Sequence, residues 1–252
     1  MNEPLEPLPP AFYARRSGAG GHRQRDWWIL LHPPYTLWHL SYVAIGATIA
    51  PRFDGGRLAA TLVAFFLAVG DAAHALDELH GRPLRTAIRG RHLAVVAAVS
   101  LTASAALGVI GIGRLGLGFG GFIVLGIFLT CAYNLELFGG HLHNDVTFAA
   151  AWGAFPVLTA YYAQTTTIRL PALAAAAAAY WLSRAQRSLS RPARDIRRRI
   201  ATINGTISYH HGEQVPLSST VLLEPLETAL VAMTYAVAAL AVALVAFRLS
   251  IR

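Results

Sequence analysis

Residues 92–113 read HLAVVAAVSLTASAALGVIGIG, a run of 22 residues without an acidic residue, lysine or arginine. A helix rises about 1.5 Å per residue and the hydrocarbon core of a bilayer is about 30 Å thick, so this run predicts one membrane-spanning helix. Six further apolar runs carry the same prediction. The seven predicted spans are Tyr35–Ala50, Leu58–Ala75, His92–Gly113, Leu115–Tyr133, Val146–Gln164, Ile168–Leu182 and Thr228–Leu249.

The composition of the whole chain also points to a membrane. Hydrophobic residues make up 55% of the 252 residues and charged residues only 13%, about half the charged share of an ordinary globular domain. A soluble core of this size needs less apolar surface, so the excess should face lipid. We therefore predict an all-α integral membrane protein with about seven transmembrane helices in a bundle. The single cysteine, Cys131, cannot form an intrachain disulfide.

The basic residues predict an orientation. All 21 are arginine, and with 13 acidic residues they give a net charge of +8. Nucleic-acid binding could explain this balance, but arginine-rich connections are typical of the cytoplasmic side of membrane proteins. A cytoplasmic N-terminus places fifteen arginines on that side and six on the other. We predict a multi-pass protein of the inner (plasma) membrane, of bacterial source from its arginine and alanine usage, with no nucleic-acid partner.

Residues 1–26 differ from the rest of the chain. Residues 1–10 are rich in proline and acidic residues, and they lack the apolar stretch of a cleavable signal peptide. We predict a mobile cytoplasmic tail over residues 1–26 and a single transmembrane helical domain over residues 27–252.

The acidic residues are distributed unevenly between the two sides. With this orientation only Asp54 falls in an outer connection, whereas most other acidic residues and six histidines lie near the inner ends of helices. An ionisable group at membrane depth costs several kcal/mol unless it faces a cavity, a partner or a metal. We expect one polar central cavity that opens to the cytoplasmic side.

The first candidate constellation lies in residues 70–84. Asp71, His74 and Glu78 have the spacing i, i+3, i+7, which places three side chains on one face of an α-helix. Carboxylates favour Mg²⁺, and a histidine also admits zinc or iron. The alternative is an ordinary polar helix end in which Arg82 neutralises the carboxylates.

The second constellation lies in residues 133–145, in another inner connection. Glu136, His141, His143 and Asp145 could supply further metal ligands or a general base. The alternative is a turn in which Asn144 or Asp145 caps the next helix.

The third constellation is the run Arg184–Arg199, which holds seven arginines and Asp195. Such a run beside a membrane usually contacts anionic lipids or sets topology. The alternative is an arginine wall for a diphosphate, which the guanidinium group binds well.

The placement of these segments resembles the UbiA superfamily of intramembrane prenyltransferases. In that family an Asp-rich motif, N-D-x-x-D-x-x-x-D, and an R-P-L/I stretch follow the second helix, and a second Asp-rich motif follows the sixth. The resemblance covers roughly residues 27–205. The segments that carry it are Leu31–Thr36, Gly70–Glu78, Arg82–Leu84, Tyr133–Phe148, Trp152–Pro156 and Arg194–Arg197.

The resemblance implies a metal-assisted reaction on the diphosphate of an isoprenoid or lipid substrate, either prenyl transfer or cyclisation of the prenyl chain. It implies catalytic roles for Asp71 and Glu78, and the second constellation adds Glu136 and Asp145 as candidate catalytic residues. The implied substrate-binding residues are Arg82, Tyr133, Asn134, Arg197 and Arg198. The implied ligands of a divalent metal, Mg²⁺ before iron or zinc, are Asp71, His74, Glu78 and Asp195, and His141 and His143 of the second constellation are further candidate ligands that would favour a softer metal. The expected partners are the substrate and membrane lipids, and the oligomeric state stays open.

This chain departs from the family pattern at several positions. Gly70 replaces the asparagine, His74 and Glu78 replace aspartates, and the second motif keeps only Asp195. The family also usually has nine helices. Two alternatives therefore stay open: an iron or zinc metalloenzyme that uses histidine and carboxylate ligands, and a non-catalytic relative that binds a quinone or lipid.

Overall fold

A separate helix covers most of each predicted span. The computed structural model describes residues 22–251, with side chains from residue 24 onward. The elements are α1 His22–Leu31, α2 Pro33–Thr48, α3 Gly55–Gly81, α4 Gly90–Leu115, α5 Gly118–Asn134, α6 Asp145–Thr165, α7 Leu170–Arg198, β1 Thr206–Ser208, β2 Gln214–Pro216 and α8 Ser219–Ser250. Helix α1 begins inside the predicted N-terminal tail, and the prediction for residues 1–21 lies outside the described residues.

Helices α3, α4, α6 and α8 are the four within residues 22–251 that are long and apolar enough to cross a membrane. Helix α5 is apolar but shorter, with 17 residues. Helix α4 exposes a row of large apolar side chains, among them Val95, Val99 and Ile110, as expected of a surface in contact with lipid. The prediction of a helical protein with several membrane-length apolar helices is confirmed, and the count of seven spans stays a prediction.

Two of the long helices are interrupted by π-helical segments, Phe66–Ala73 within α3 and Ala149–Ala154 within α6. A π-helix bonds i to i+5 and has more residues per turn than an α-helix. Side chains that follow such a segment therefore point in directions that α-helical spacing does not predict. Both segments lie next to the cavity described below.

Small residues let the central helices approach closely. A Cβ atom at Gly46 in α2 would overlap the main-chain oxygen of Val157 in α6, and one at Gly153 in α6 would overlap Ser183 in α7. Large side chains fill the space beside these contacts, including the buried Trp38 and Trp152. This packing of small residues between helices is typical of membrane bundles.

Polar contacts fix the end of the bundle that carries the connection between α2 and α3. The side chain of Gln164 accepts a hydrogen bond from the main-chain N–H of Asp54 and donates one to its carbonyl oxygen. Arg248 near the end of α8 donates to the carbonyl oxygens of Thr48 and Ala50. Successive long helices run in opposite directions through the bundle, so the segments 82–89, 135–144 and 199–218 lie together at its opposite end.

Candidate functional site

A cavity of about 260 Å³ lies between α2, α3, α5, α6, α7 and α8, toward the end formed by residues 82–89, 135–144 and 199–218. Aromatic rings and titratable side chains line it together. Its titratable side chains are His32, Tyr35, His39, His74, Asp77, Tyr133, His143, Arg187, Arg194, Arg197, Arg198 and Glu227.

One side of the cavity is formed by arginines near the end of α7. Arg187, Arg194 and Arg198 recur at spacings of seven and four residues, which place them on one helix face. Arg197 lies beside them and forms a bidentate ion pair with Glu227 of α8, in which the Nη2 atom of Arg197 lies 2.7 Å from Oε2 of Glu227. We call these four residues the arginine wall.

The charges around the arginine wall do not balance. Among the described residues, Asp77 and Glu227 are the carboxylates that line the cavity with the four arginines, and Asp145 pairs with one of these arginines from outside it. Arg187 donates to Asp145 at 2.9 Å and lies 4.8 Å above the ring of Phe148. Arg194 donates to the hydroxyl of Ser190 at 3.2 Å and has no carboxylate partner among the described residues. The cavity therefore has an excess of positive charge.

Histidines of α2, α3 and the connection before α6 form the facing side. The Nδ1 atoms lie 2.8 Å from the carbonyl oxygen of Trp152 for His39 and 3.0 Å from that of Gly70 for His74. His143 makes the same contact with Tyr133, also at 3.0 Å. We call His39, His74 and His143 the histidine wall.

Two groups lie near these walls. The Tyr133 ring stacks on His143 with centroids 4.4 Å apart, and its buried hydroxyl has no hydrogen-bond partner among the described residues. His32 lies before α2, with its ring centroid 5.7 Å from that of His74. Burial, assisted by His74 and Arg198, holds the pKa of His32 well below its ordinary value of 6.5. The His32 side chain is therefore neutral at pH 7.

The predicted metal ligands Asp71, His74 and Glu78 do not converge. His74 lines the cavity, whereas Asp71 faces α4, where its Oδ2 accepts a 3.5 Å contact from Ser100. A shared face requires α-helical geometry throughout, but Asp71 lies in the π-helical segment Phe66–Ala73, which changes its direction relative to His74 and Glu78. Among the described residues no three histidine, cysteine, aspartate or glutamate side chains lie close enough together to hold a metal ion.

The side chain of Glu78 is fully buried and holds the following loop. Its Oε1 accepts from the main-chain N–H and the hydroxyl of Thr86, both at 2.8 Å, and its Oε2 accepts from the N–H of Leu84 at 2.9 Å. Arg82 lies 3.9 Å from Oε1 and donates to the carbonyl of Ile88 at 2.7 Å. These oxygens are occupied, so Asp71, His74 and Glu78 do not fit a shared divalent metal. The alternative of a polar helix end with Arg82 beside Glu78 describes this segment.

The predicted residues of segment 133–145 are divided between the cavity and its surroundings. Tyr133, Asn134 and His143 line the cavity. Glu136 lies 3.9 Å from both His80 and His143 and is half-exposed. His141 is exposed and bonds to the carbonyl of Phe138.

The connection between α5 and α6 and the first residue of α6 also supply a helix cap and an ion pair. Asn144 accepts from the N–H groups of Val146 and Thr147, both at 2.9 Å, so it is the N-cap of α6. Asp145 pairs with Arg187 and lies 3.7 Å from Arg191. Asp145 therefore orients the side chain of Arg187 from outside the cavity.

The last predicted ligand, Asp195, lies outside the cavity, where it pairs with the exposed Arg199 at 3.3 Å. Arg197 and Arg198 line the cavity as predicted for substrate-binding residues, and Arg82 does not. Asp77 and His32 also line the cavity and were not predicted as site residues, whereas Arg187 and Arg194 were predicted only as members of the arginine run 184–199. Asp77 and Glu78 lie next to each other in the α-helical stretch His74–Gly81, about 100° apart around the helix axis, so Asp77 lines the cavity while Glu78 is directed to the loop.

Comparisons of the chain with protein-family models, with curated proteins and with solved structures found no match.

Proposed function

We propose that this protein is a UbiA-like membrane enzyme that acts on an isoprenoid or lipid diphosphate bound in the cavity. The observation that carries the proposal is the arginine wall, whose four guanidinium groups line the cavity, whereas the carboxylates beside them among the described residues are Asp77, Glu227 and, from outside the cavity, Asp145. Unbalanced charge in a partly buried site is costly unless a ligand of opposite charge occupies it. Guanidinium groups bind phosphate oxygens in a fork geometry.

A second cavity offers space for an apolar chain. It has a volume of about 290 Å³, lies between α3, α4, α5 and α6, and is lined mainly by apolar side chains. Val69 and Trp152 line both cavities and thus form the boundary between them. A molecule with an anionic head and an apolar chain matches the two adjoining spaces.

The proposed chemistry is heterolysis of the bond between the prenyl carbon and the diphosphate oxygen. The arginine wall would stabilise the negative charge that develops on the leaving diphosphate. Trp38, Phe148 and Trp152 line the same cavity, and their aromatic rings would stabilise the allylic cation. An acceptor would then capture the cation and release a proton, or the chain would cyclise on itself and the resulting cation would lose a proton. The contacts of Asp71 and Glu78 do not fit a shared metal, so this proposal contains no step through one.

The alternative of a non-catalytic lipid-binding protein has one supporting observation. The two carboxylates expected to be catalytic in the first motif are engaged elsewhere, Glu78 with its loop and Asp71 with α4. Such a protein would bind the same diphosphate without converting it. The iron or zinc alternative lacks a comparable observation because its proposed ligands are dispersed.

We further propose that the cavity faces the cytoplasm, as the distribution of arginines predicts. The connection 82–89 and the arginine-rich end of α7 lie at the same end of the bundle as the cavity. This orientation places the site in the cytoplasmic leaflet of the inner membrane, with a cytoplasmic N-terminus.

The proposal is tested with purified protein in nanodiscs, using farnesyl diphosphate and farnesol as probes. We expect saturable binding of farnesyl diphosphate, much weaker binding of farnesol, and diphosphate release in the presence of a suitable acceptor or by cyclisation. Binding without release would favour the lipid-binding alternative. Equal binding of the two probes would refute the proposal.

A further inference from the structure

A groove lies outside both cavities, between α1, the connection 82–89 and the start of α4. It has a volume of about 550 Å³, and the residues that line it include Asp26, Trp27, Ile88, Arg89, Arg91 and His92. None of these residues lines either of the two cavities described above. We call this separate site the surface groove.

The surface groove has a defined shape because α1 is held against the connection 82–89. The Oδ2 atom of Asp26 in α1 accepts a hydrogen bond from the main-chain N–H of Ala87 at 2.9 Å. Trp27, the next residue of α1, packs against an apolar cluster that includes the buried Ile88 and Leu93. One polar contact and one apolar contact therefore fix the two sides of the groove relative to each other.

The surface groove carries an excess of positive charge. Arg89 and Arg91 are exposed, and neither pairs with a carboxylate of the described residues. Within the described part of the chain, Asp26 is the carboxylate that lines the groove, and it is bonded to the main chain. Two guanidinium groups with available N–H donors match the oxygens of a phosphate group.

The position of the groove indicates that this phosphate belongs to a lipid. Helix α4 is long and apolar enough to cross a membrane and begins at Gly90, so the groove lies where its apolar stretch begins. Arg91, Val95 and Val99 are four residues apart and lie on one helix face, and the two valines are 59% and 62% exposed. An acyl chain can lie along these valines while its headgroup reaches Arg91. Trp28 beside the groove is exposed, as is typical of tryptophan at a membrane interface.

We propose that the surface groove binds the headgroup of an anionic phospholipid. Arg89 and Arg91 donate to its phosphate, and one acyl chain lies along the exposed valines of α4. This inference is independent of the reaction proposed above and rests on the placement of α4 in a membrane. The connection 82–89 also contributes Pro83 and Leu84 to the cavity. The bound lipid therefore contacts a segment of the cavity wall without occupying the cavity.

The first experiment measures lipid binding to the purified wild-type protein in detergent by native mass spectrometry. The probes are dioleoylphosphatidylglycerol, which is anionic, dioleoylphosphatidylcholine, which has the same chains and no net charge, and glycerol 3-phosphate, which has no chain. We expect saturable binding of phosphatidylglycerol at concentrations where the other two probes bind much more weakly. Equal binding of the two lipids would refute recognition of an anionic headgroup. Equal binding of glycerol 3-phosphate would refute a lipid as the ligand.

A double variant tests the position of the lipid. We expect Arg89→Gln/Arg91→Gln to raise the dissociation constant of phosphatidylglycerol about thirtyfold, since each arginine near an anionic lipid surface contributes about a factor of five. Arg52→Gln/Arg114→Gln is the matched control, because it removes two exposed arginines at the other end of the bundle, outside the groove. Equal losses in the two double variants would indicate a general effect of net charge and would contradict a specific site.

A cavity variant separates this inference from the proposed function. Arg194→Gln should leave binding of phosphatidylglycerol unchanged, and Arg89→Gln/Arg91→Gln should leave binding of farnesyl diphosphate unchanged. Absence of farnesyl diphosphate binding in the wild type, with phosphatidylglycerol still bound in the groove, would refute the proposed function alone. Loss of phosphatidylglycerol binding in Arg194→Gln but not in the groove variant would place the lipid in the cavity and would refute the groove site.

Discussion

Segments 70–84 and 184–199 are both charged, lie near each other at one end of the bundle, and carry residue types that suit a phosphorylated ligand. Their roles in the structure differ. Glu78 of the first segment is buried and binds the loop that follows it, and Asp71 faces another helix. The second segment directs Arg187, Arg194, Arg197 and Arg198 into the cavity. Hydrogen-bonding groups that other protein groups do not occupy, together with open space beside them, decide whether a charged segment can bind a ligand.

The largest expected effect concerns the first segment. Glu78→Gln places an amide group against the N–H donors of Leu84 and Thr86, where a carboxylate accepted three hydrogen bonds. We expect a loss of about 3 kcal/mol of unfolding free energy, as is typical when a buried charged hydrogen-bond partner is removed. Thermal unfolding in detergent measures it. Asp71→Asn is the control, with a small effect because Asp71 makes one long contact.

An opposite outcome for Glu78→Gln would change the comparison. If the variant kept the stability of the wild type but no longer bound or converted a diphosphate, Glu78 would belong to the binding site. The first segment would then have the role that the UbiA resemblance implies.

The second prediction concerns the arginine wall. Arg194→Gln removes a guanidinium group that faces the cavity and has no carboxylate partner among the described residues. We expect affinity for farnesyl diphosphate to fall about tenfold to a hundredfold, since charge-assisted hydrogen bonds contribute about 1.5–3 kcal/mol. The midpoint of thermal unfolding should hardly change. Isothermal titration calorimetry in nanodiscs measures the affinity.

Arg191→Gln is the matched control for Arg194→Gln. Arg191 lies on the same helix, but its side chain is 69% exposed and does not line the cavity. Equal losses of affinity in the two variants would indicate a general electrostatic effect of α7 and would contradict a specific site.

The third prediction is that the stability of the protein depends on pH through His32, which lies near His74 of the first segment and Arg198 of the second. Burial lowers the pKa of His32 in the folded protein, whereas the unfolded chain takes up the proton near pH 6.5. Between these two values the unfolded state binds more protons, so unfolding free energy falls as pH falls below about 6.5. The contribution of one group cannot exceed about 1.4 kcal/mol per pH unit.

Thermal unfolding between pH 7.5 and 5.5 tests the His32 contribution. His32→Gln should flatten the slope of unfolding temperature against pH below pH 6.5. The same slope in the variant and the wild type would show that His32 is protonated equally in the folded and unfolded states.

The smallest expected effect concerns Asp195, which the resemblance implies as a metal ligand. Its observed partner is Arg199, whose side chain is 80% exposed, and exposed ion pairs contribute little to stability. We expect Asp195→Asn to leave the equilibrium constant of unfolding and the dissociation constant of farnesyl diphosphate within about a factor of two of the wild-type values. A large loss of diphosphate binding would restore Asp195 to the site.

The helices could be predicted from sequence because lipid imposes a length and an apolar composition on any helix that crosses it. A substrate-binding role was predicted for Arg197 and Arg198 from their place in the arginine run 184–199, and both residues line the cavity. By contrast, the direction of Asp71 relative to His74 and Glu78 depends on the π-helical segment Phe66–Ala73, which leaves no signal in residue spacing.

Other parts of the site depend on contacts between distant segments. His39 is hydrogen-bonded to the carbonyl oxygen of Trp152, 113 residues further along the chain. The residues around His39 contain no pattern that predicts such a bond. Arg187 enters the cavity beside Asp145, which had been assigned a catalytic role from its own segment. Glu78 is bonded to a loop whose path a helical pattern does not specify.

We propose that the arginine wall, and not the acidic segment 70–84, binds the diphosphate. A cryo-electron microscopy structure with a non-hydrolysable analogue of farnesyl diphosphate would show the position of the diphosphate. We expect diphosphate density within hydrogen-bonding distance of Arg194 and Arg187, with the prenyl chain directed past Val69 and Trp152. Diphosphate density beside Asp71 and Glu78, reached through a bound metal ion, would contradict it.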